Sequence, residues 1–326
     1  MIISLIIITY NRTNDLKECL DTVLLQSHLP QEIIIVDNGK SDESQNLIAA
    51  SKNRFAENNI KIIFLKNQSQ NSLTYARNIG VNNSAGDIVM FLDDDVLLDN
   101  NYIKELIKVY ENHPQALGVQ GYLVGSDKIS LFRNIIYQLF FLYHLENNKC
   151  RALPSVSATY PFPTSNIISC QWLSGANHSY RRKILEEFSY DEKLIKYSDG
   201  EDLEFSHRVF LKYPGTLYLT PYSTLIHKTS PGGRTLGKDL IYMREIYGLY
   251  IFYKTFYHYL ARNKFIFLWS RFGKIAINLF VSIYKLNLAA LKENYHLIGA
   301  YIYCLKHLQE IKNGHLEFFN KTFKET

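Results

Sequence analysis

The stretch Gly86–Val96, GDIVMFLDDDV, decides the fold of this chain. The run Ile88–Leu92 is apolar throughout, as in a buried central strand, and the three carboxylates of Asp93–Asp95 follow directly. Adjacent carboxylates repel one another unless a cation neutralises them, and Mg²⁺ or Mn²⁺ sites combine carboxylates with phosphate oxygens. The stretch therefore predicts a metal and diphosphate site at a strand end. The alternative is an acidic turn that caps the helix predicted over Tyr102–Tyr110.

Strands and helices alternate along the N-terminal third of the chain. The predicted strands are Ile2–Thr9, Glu32–Val36, Lys61–Leu65 and Ile88–Leu92, and the predicted helices are Asn14–Gln26, Ser41–Asn53 and Ser72–Ser84. This alternation indicates a mostly parallel, doubly wound α/β sheet, whose ligands bind beyond the carboxyl ends of the strands. Four polar sets fall at those ends, namely Thr9–Arg12, Asp37–Gly39, Asn67 and Asp93–Asp95.

The sequence carries neither a G-x-G-x-x-G dinucleotide motif nor a G-x-x-x-x-G-K-[ST] phosphate loop. A nucleotide must therefore be held in another way. Tyr10 can stack on a base, Asp37 can accept a hydrogen bond from a base N–H, and Arg12 or Arg77 can reach phosphate. The alternatives are ordinary loop roles for Tyr10 and Arg12, and a position on a helix surface for Arg77.

Size and composition allow a substantial hydrophobic core. The 326 residues suffice for one large domain or two, 47% of them are hydrophobic, and the net charge is +5. The apolar run Ile2–Ile8 lacks a basic leader, so we expect a first strand and not a signal sequence. We expect neither a zinc site nor disulfides, and a reducing cytoplasm, because the cysteines are scattered without a C-x-x-C pair, at Cys19, Cys150, Cys170 and Cys304.

Six motifs and one histidine together resemble family 2 glycosyltransferases of the GT-A fold. They are SLIIITYNR at Ser4–Arg12, EIIIVDNGKSDES at Glu32–Ser44, LTYARNIGV at Leu73–Val81, DIVMFLDDDV at Asp87–Val96, WLSGANHSYRR at Trp172–Arg182, DGEDLEFSHRV at Asp199–Val209, and His227. The resemblance covers roughly residues 1–235. It implies transfer of a sugar, with inversion, from a nucleoside diphosphate sugar to an acceptor hydroxyl, and it says little about which sugar.

The resemblance also implies roles for single residues. Tyr10 and Asp37 would hold the base, Asp93 would lie near the ribose or sugar, and Asp95 would bind the metal. His227 matches a second metal ligand of some relatives, and its alternative is an exposed histidine at a strand end. The donor site would consist of Thr9, Tyr10, Arg12, Asp37, Asn67, Arg77, Asp93, Asp94 and Arg234, with Mn²⁺ or Mg²⁺ on Asp93, Asp95 and His227.

Beyond His227, the stretch Lys228–Gly237, KTSPGGRTLG, is rich in glycine and hydroxyl side chains. We expect it to close over the donor, with Arg234 meeting phosphate and Gly232-Gly233 as the hinge. The alternative is a plain linker between domains.

A direct displacement requires a base that takes the proton of the attacking hydroxyl. The resemblance implies that this base is Asp202. Asp202 lies at the start of a predicted helix that follows a loop. The alternative is that its carboxylate only complements the dipole of this helix. The rivals of Asp202 are Glu201 and Asp199. Relatives bind the acceptor near Trp172 and Gly175, and we assign Glu201 to the same site. A buried core position is the alternative for Trp172.

From Leu240 onward the chain is dense in aromatic and basic residues, and no acid occurs between Lys254 and Lys292. We expect helices over 243–262, 265–285 and 290–308, none able to span a membrane, attached to an anionic bilayer surface. The alternative is a bundle packed on the catalytic domain or forming an oligomer. A further apolar helix is predicted over Ile129–Leu145, which must be buried in the protein, in a dimer or in a membrane interface. No nucleic-acid-binding module is visible.

Together these patterns predict a GT-A catalytic domain over 1–235, with a donor half to 125 and an acceptor half from 126, and a helical region over 236–326. We expect a UDP-sugar or dTDP-sugar donor, a glycan or lipid-linked acceptor, a role in cell-surface polysaccharide assembly, and a place on the cytoplasmic face of the membrane. A homo-oligomer is left open. The rivals are a sugar nucleotidyltransferase, which would need a glycine-rich loop at Thr9–Arg12, and an inactive nucleotide-sugar-binding or membrane-binding protein.

Overall fold

The N-terminal region of the chain forms a parallel sheet around strand β1. A computed structural model describes residues 1–69, 71–125, 129–232, 235–257, 260–284 and 286–323. Its first elements are β1 (Ile3–Thr9), α1 (Thr13–Leu24), β2 (Glu32–Asp37), α2 (Glu43–Glu57), β3 (Lys61–Lys66), α3 (Leu73–Asn82) and β4 (Ile88–Asp93). Strand β1 lies between β2 and β4, and β3 extends the sheet beyond β2, all in parallel register. The predicted α/β alternation is confirmed.

Residues of β1 alternate between two hydrophobic cores, as a doubly wound sheet requires. Ile3, Leu5 and Ile7 pack with helices α1 and α2 on one face. Ile6 and Ile8 belong to the core on the other face, which contains α3 and much of the second half of the chain. All seven residues of β1 are buried, which explains why the strand is an almost continuous apolar run.

The second half of the sheet is mixed. The elements that follow are β5 (Val96–Leu98), α4 (Tyr102–Asn112), β6 (Gly118–Val124), α5 (Leu131–Leu139), β7 (His144–Glu146), β8 (Ala152–Leu153), β9 (Ser157–Pro161), β10 (Ile168–Cys170), β11 (His178–Arg181), α6 (Arg182–Glu187), α7 (Glu201–Lys212) and β12 (Leu217–His227). The order of the large sheet is β10-β12-β6-β11-β4-β1-β2-β3, with β5 paired to β12 and a small separate sheet β7-β9-β8. Strand β11 joins the two halves by antiparallel pairing with β4 and β6.

The C-terminal region is helical and packs on the rest of the protein. It consists of α8 (Gly237–Ile251), a π-helical turn (Phe252–Phe256), α9 (Leu260–Tyr284), α10 (Leu288–Lys306), α11 (Leu308–Lys312) and α12 (Glu317–Asn320). Met243 and Ile246 of α8 lie in the same buried core as Leu203 and Phe205 of α7. The hydrophobic core therefore continues beyond the boundary predicted at residue 235.

One expectation about charge in this region needs correction. Three of the basic residues expected to face an anionic partner instead bind acids inside the protein. Arg271 and Lys274 contact the two carboxylate oxygens of Glu245 at 3.0 and 2.7 Å. Lys254 lies 2.6 Å from Asp191. These ion pairs could not be predicted from the acid-free run between Lys254 and Lys292, because each acid belongs to an earlier part of the chain.

Helix α9 also differs from expectation. The charges of Arg271 and Lys274 predict that this helix cannot span a membrane. By length and composition alone, however, Ala261–Tyr284 is long and apolar enough to cross one. One such helix is weak support for a span, since core helices of soluble proteins pass the same test. One face of α9 packs in the protein, where Asn263 donates to the Phe256 carbonyl at 2.7 Å and Arg271 binds Glu245.

The apolar helix predicted over Ile129–Leu145 is shorter, because it ends at Leu139 and strand β7 follows. It packs against α9, where the Trp269 indole donates to the Leu139 carbonyl at 2.9 Å and the Phe140 ring lies 5.3 Å from Trp269. The outer faces of α5 and α9 form an apolar surface whose side chains are 55–77% exposed, made of Leu131, Phe132, Ile135, Leu139, Phe265, Leu268 and Phe272. The outer face of this helix is therefore not buried within the described protein, and a dimer or a membrane interface remains of the three alternatives.

Candidate functional site

The carboxyl ends of the four parallel strands form one connected row of polar residues. The amide of Asn38, after β2, donates to the Thr9 carbonyl at 2.9 Å, and the amide of Asn67, after β3, donates to the Asp37 carbonyl at 2.8 Å. On the other side of β1, the Thr9 hydroxyl donates to Oδ2 of Asp94 at 2.7 Å. The convergence of the four predicted polar sets at one sheet edge is confirmed.

Asp93, Asp95 and His227 converge at this edge. One ligand atom of each lies within 4.8 Å of the others. Nε2 of His227 is 3.0 Å from Oδ1 of Asp95 and 3.7 Å from Oδ2 of Asp93. His227 reaches this position because β12 pairs with β5, the strand that directly follows the acidic turn. Two carboxylates and an imidazole are a suitable ligand set for a divalent metal, so the residues fit Mn²⁺ or Mg²⁺.

The loop after β12 contacts the same carboxylate. The Ser230 amide donates to Oδ2 of Asp95 at 2.8 Å, and Arg12 donates to that oxygen at 2.9 Å. Burial raises the pKa of Asp95, but His227, Arg12 and Ser230 outweigh burial and hold that pKa below its ordinary value. Asp95 is therefore ionised and one of its oxygens faces His227.

Asp94 points away from this cluster. Its carboxylate is fully buried, where Arg12 lies 3.1 Å from Oδ1 and Thr9 binds Oδ2. Burial raises the pKa of Asp94 to about 7, against the opposing effects of Arg12 and Thr9. The structure places Asp94 as a buried support of the loop that carries Asp93 and Asp95.

Arg77 connects the metal-ligand candidates to the region of the predicted base. It lies on α3, is only 2% exposed, and forms a buried ion pair with Glu201. Its Nη2 donates to the Gly175 carbonyl at 3.1 Å and lies 4.0 Å from Oδ1 of Asp93. Arg77 is therefore a buried hub and not the helix-surface residue of the alternative interpretation.

A stack of rings covers the other side of Arg77. Its guanidinium lies 5.2 Å from the centre of the Tyr190 ring, and the Tyr190 hydroxyl binds Nε2 of His178 at 2.5 Å. Burial, with Arg77 next, holds the pKa of His178 well below its ordinary value, so the imidazole is neutral. Neither His178 nor Tyr190 was singled out from the sequence, although His178 lies inside a motif quoted for the resemblance.

Asp202 is fixed by backbone amides at the start of α7. The amide of Gly175 donates to its Oδ2 at 2.7 Å, and the amide of Leu203 donates to its Oδ1 at 2.7 Å. Burial raises the pKa of Asp202 above its ordinary value, although these amides and Arg77 act in the opposite direction. A partly buried carboxylate with a raised pKa is suited to accept a proton.

One cavity of about 530 Å³, which we call the donor cavity, gathers most of the predicted site. Its lining includes Thr9, Tyr10, Arg12, Arg77, Asp93, Asp95, Gly175, Glu201, Asp202 and His227. Among the residues that the structure describes, Oε2 of Glu201 has no hydrogen-bond partner although it is buried. Glu201 thus offers an acceptor atom to a ligand.

Other predicted site residues do not line this cavity. Asp37 and Asn67 are buried behind its rim, and Asp37 accepts hydrogen bonds from the Gly39 amide at 2.7 Å and from Nζ of Lys66 at 2.9 Å. Lys66 was missed, although it ends β3 at the same sheet edge.

Trp172 is 7% exposed, donates to the Thr159 carbonyl at 3.0 Å and lines a second cavity. Arg234 and its phosphate contact lie outside the described residues.

Comparison with known proteins agrees with this architecture. Two solved structures that share the fold are the mannosyltransferase PcManGT from Pyrobaculum calidifontis in complex with GDP-Man and Mn²⁺, and S. aureus TarS 1-349 in complex with UDP-GlcNAc. Their TM-scores are 0.55 and 0.59 at 15% sequence identity, the match covers 93% and 92% of this chain, and it covers 86% and 79% of theirs.

Sequence comparison identifies the family. The uncharacterized glycosyltransferase YwdF of Bacillus subtilis is 37% identical over 249 residues, which are 76% of this chain and 81% of YwdF. The matches to three other curated relatives cover between 31% and 39% of the length of those relatives. The model of the family "Glycosyl transferase family 2" matches residues 4–188. The chain therefore belongs to glycosyltransferase family 2.

Proposed function

We propose that the protein transfers a sugar, with inversion, from a nucleoside diphosphate sugar to a hydroxyl of a glycan or lipid-linked acceptor. The observation that carries the proposal is the donor cavity, because a metal-ligand set and a positioned carboxylate line the same space. Asp93, Asp95 and His227 stand on one side, and Asp202 stands in the acceptor half of the fold.

Asp202 serves as the general base of this reaction. The acceptor oxygen attacks the anomeric carbon, the bond from that carbon to the diphosphate oxygen breaks, and the nucleoside diphosphate leaves. The proton of the attacking hydroxyl passes to the carboxylate of Asp202. The Gly175 and Leu203 amides hold this carboxylate in one orientation, and its raised pKa increases its affinity for the proton.

Asp93, Asp95 and His227 would hold Mn²⁺ or Mg²⁺. A bound divalent ion supplies Lewis-acid stabilisation of the negative charge on the leaving diphosphate. Arg12 neutralises part of the acidic turn, and the buried Arg77 orients the Gly175 loop toward Asp202. Glu201 binds Arg77 through one oxygen and keeps its second oxygen for a sugar hydroxyl.

A uracil or thymine base fits the rim of the donor cavity. The Asp37–Lys66 pair offers an acceptor beside a donor, which complements the N3–H and C4 carbonyl of these bases. Each oxygen of a carboxylate has two acceptor positions, so the contacts with Lys66 and Gly39 leave acceptor positions unused on the buried Asp37. Tyr10 lines the cavity and is placed to stack on the base.

The apolar surface of α5 and α9 attaches the protein to an anionic bilayer in this proposal. Exposed apolar areas of this kind mark interaction sites on soluble proteins. Arg133 on α5 and Arg262 and Lys264 on α9 are exposed on the same two helices, so the charge complements anionic lipid. Attachment at the cytoplasmic face, with the catalytic domain over residues 1–235 above the bilayer, would suit polysaccharide assembly from lipid-linked intermediates.

Thermal unfolding with UDP, dTDP, GDP and CMP, each with and without Mn²⁺, tests the donor assignment. A ligand at a hundred times its dissociation constant adds about 2.7 kcal/mol to the free energy of unfolding. We expect stabilisation by UDP or dTDP that requires Mn²⁺, is lost in Asp95→Asn and persists in the control Asp21→Asn on α1, outside the donor cavity. Stabilisation by no nucleotide would contradict the proposal, and binding without turnover of any sugar nucleotide would favour the inactive binding protein.

A further inference from the structure

A second cavity meets the donor cavity at the candidate base. It has a volume of about 580 Å³ and shares Asp199, Gly200 and Asp202 with the donor cavity. Asp202 therefore lines both cavities. A base between donor and acceptor requires this placement, because the proton it accepts belongs to the hydroxyl that attacks the anomeric carbon from the side opposite the leaving diphosphate.

The walls of the second cavity come from the helices that bear the apolar surface. Tyr137 of α5 and Ile277 and Asn278 of α9 line it, together with Leu297 of α10. On their outer sides, α5 and α9 present side chains such as Leu131 and Phe265 to solvent. The cavity thus lies between Asp202 and the two helices that bear the surface that we propose to contact lipid.

The cations of this cavity are paired, and its acidic lining residues include Glu293 and Asp202. Glu245 binds Arg271 and Lys274, and Arg244 lies 3.3 Å from Asp199. These cations already have carboxylate partners, so a phosphate group would have to displace one of them. Hydroxyl and amide groups, such as those of Ser157 and Asn278, also line the cavity, together with the indole of Trp172. Hydroxyls, amides and an aromatic face suit a neutral sugar ring.

We propose that this acceptor cavity, lined by Tyr137, Ser157, Trp172, Asp202, Ile277 and Asn278, binds the sugar end of a lipid-linked glycan. The lipid moiety extends along the apolar surface toward the bilayer, and the terminal sugar enters between α5, α9 and the β8–β9 hairpin until its hydroxyl reaches Asp202. This inference rests on the proposed function, and it adds the class of acceptor and its path.

The two tryptophans of the chain allow a direct test, since Trp172 lines the cavity and Trp269 lies at the apolar surface. In Trp269→Phe, Trp172 is the sole indole and its fluorescence reports binding. The probes are decyl β-glycosides of glucose, galactose and N-acetylglucosamine below their micelle concentrations, and the matching methyl glycosides. We expect at least one decyl glycoside to bind tenfold or more tightly than its methyl counterpart, in the absence of nucleotide.

Two filling variants locate this binding. Asn278→Phe on α9 and Ser157→Phe on β9 should each weaken it tenfold or more, whereas Asn53→Phe, the same exchange as at Asn278 but on the exposed face of α2, should leave it unchanged. Folding of each variant is checked by its urea unfolding transition, which requires no ligand. A response from no glycoside, equal binding of decyl and methyl forms, or unaltered binding in both filling variants would overturn the inference. Failure of the nucleotide screen alone would instead count against the proposed function.

Discussion

The amide of Gly175 donates to Oδ2 of Asp202 at 2.7 Å, and a Cβ atom added to Gly175 would lie 3.2 Å from that same oxygen. The added carbon would also lie 3.2 Å from Nη2 of Arg77, which binds the Gly175 carbonyl. Glycine at this position thus lets the loop approach both the candidate base and its buried support. A methyl group would displace the carboxylate by a few tenths of an ångström.

We therefore expect Gly175→Ala to lower kcat about tenfold or more, because small displacements of a reacting group are costly. The KM for the nucleotide sugar should change little, since Gly175 contributes no polar group to the metal-ligand set. Steady-state kinetics separates the two constants. An increase in KM at unchanged kcat would show that Gly175 shapes the donor site and not the base.

Asp202→Asn keeps the shape of the side chain and removes its ability to take a proton. General base catalysis contributes about 10²–10⁴ in rate, so transfer should fall by this factor. Stabilisation by nucleotide and Mn²⁺ should persist, because Asp93, Asp95 and His227 are unchanged. Asp21→Asn, at a half-buried aspartate on α1 outside the donor cavity, is the matched control. A fully active Asp202→Asn would refute the assignment, and Glu201 and Asp199 would then be tested in turn.

The pH dependence of transfer follows from the raised pKa of Asp202. Only the ionised carboxylate accepts a proton, so kcat should rise with pH through this pKa and level off above it. Because burial raises the pKa above its ordinary value of 3.8, the acid limb should lie above pH 3.8. The profile is measured at saturating Mn²⁺ and donor. An acid limb in Asp202→Asn at the same pH would assign the titration to another group.

Local sequence patterns were sufficient to predict the parallel half of the sheet and to identify the candidate metal ligands. Strands β1, β2 and β4 are buried on both faces, so their apolar runs identify them, and parallel strands bring their polar ends to one edge. The pairing of Arg271 with Glu245 could not be predicted, because it depends on how α9 packs against α8. Lys66 was overlooked because a lysine at the end of a half-buried strand resembles a surface residue.

Glu245 is 3% exposed and holds two cations, so its charge matters for stability. Removal of one partner from a buried ion pair costs about 3–5 kcal/mol, because the other charge is left uncompensated. We expect Glu245→Gln to lower the free energy of unfolding by about 3 kcal/mol in urea titrations. Glu111→Gln, at an exposed site on α4, is the control.

The same residue predicts a pH dependence of stability. Burial raises the pKa of Glu245, but Lys274 and Arg271 outweigh burial and hold it below its ordinary value of 4.5. The folded state therefore favours the ionised form, and this contribution is complete above pH 4.5 and is lost as the pH falls through the lower folded pKa. The difference between native protein and Glu245→Gln should shrink in that acid range. A difference that grows on acidification would contradict this sign.

Charges placed on the apolar surface should release the protein from lipid. Leu268 and Phe272 of α9 are 56% and 55% exposed, and burial of such side chains contributes about 1.5–3 kcal/mol each. The double variant Leu268→Glu, Phe272→Glu should lose at least tenfold in flotation with phosphatidylglycerol vesicles. Leu211→Glu, exposed on α7, should float like the native protein. Binding of the native protein should weaken with added salt, because Arg133, Arg262 and Lys264 attract the anionic surface. If the double variant floats as well as the native protein, another face binds lipid. Stabilisation by nucleotide that is the same in the native protein, the double variant and Leu211→Glu would show that the catalytic domain is intact.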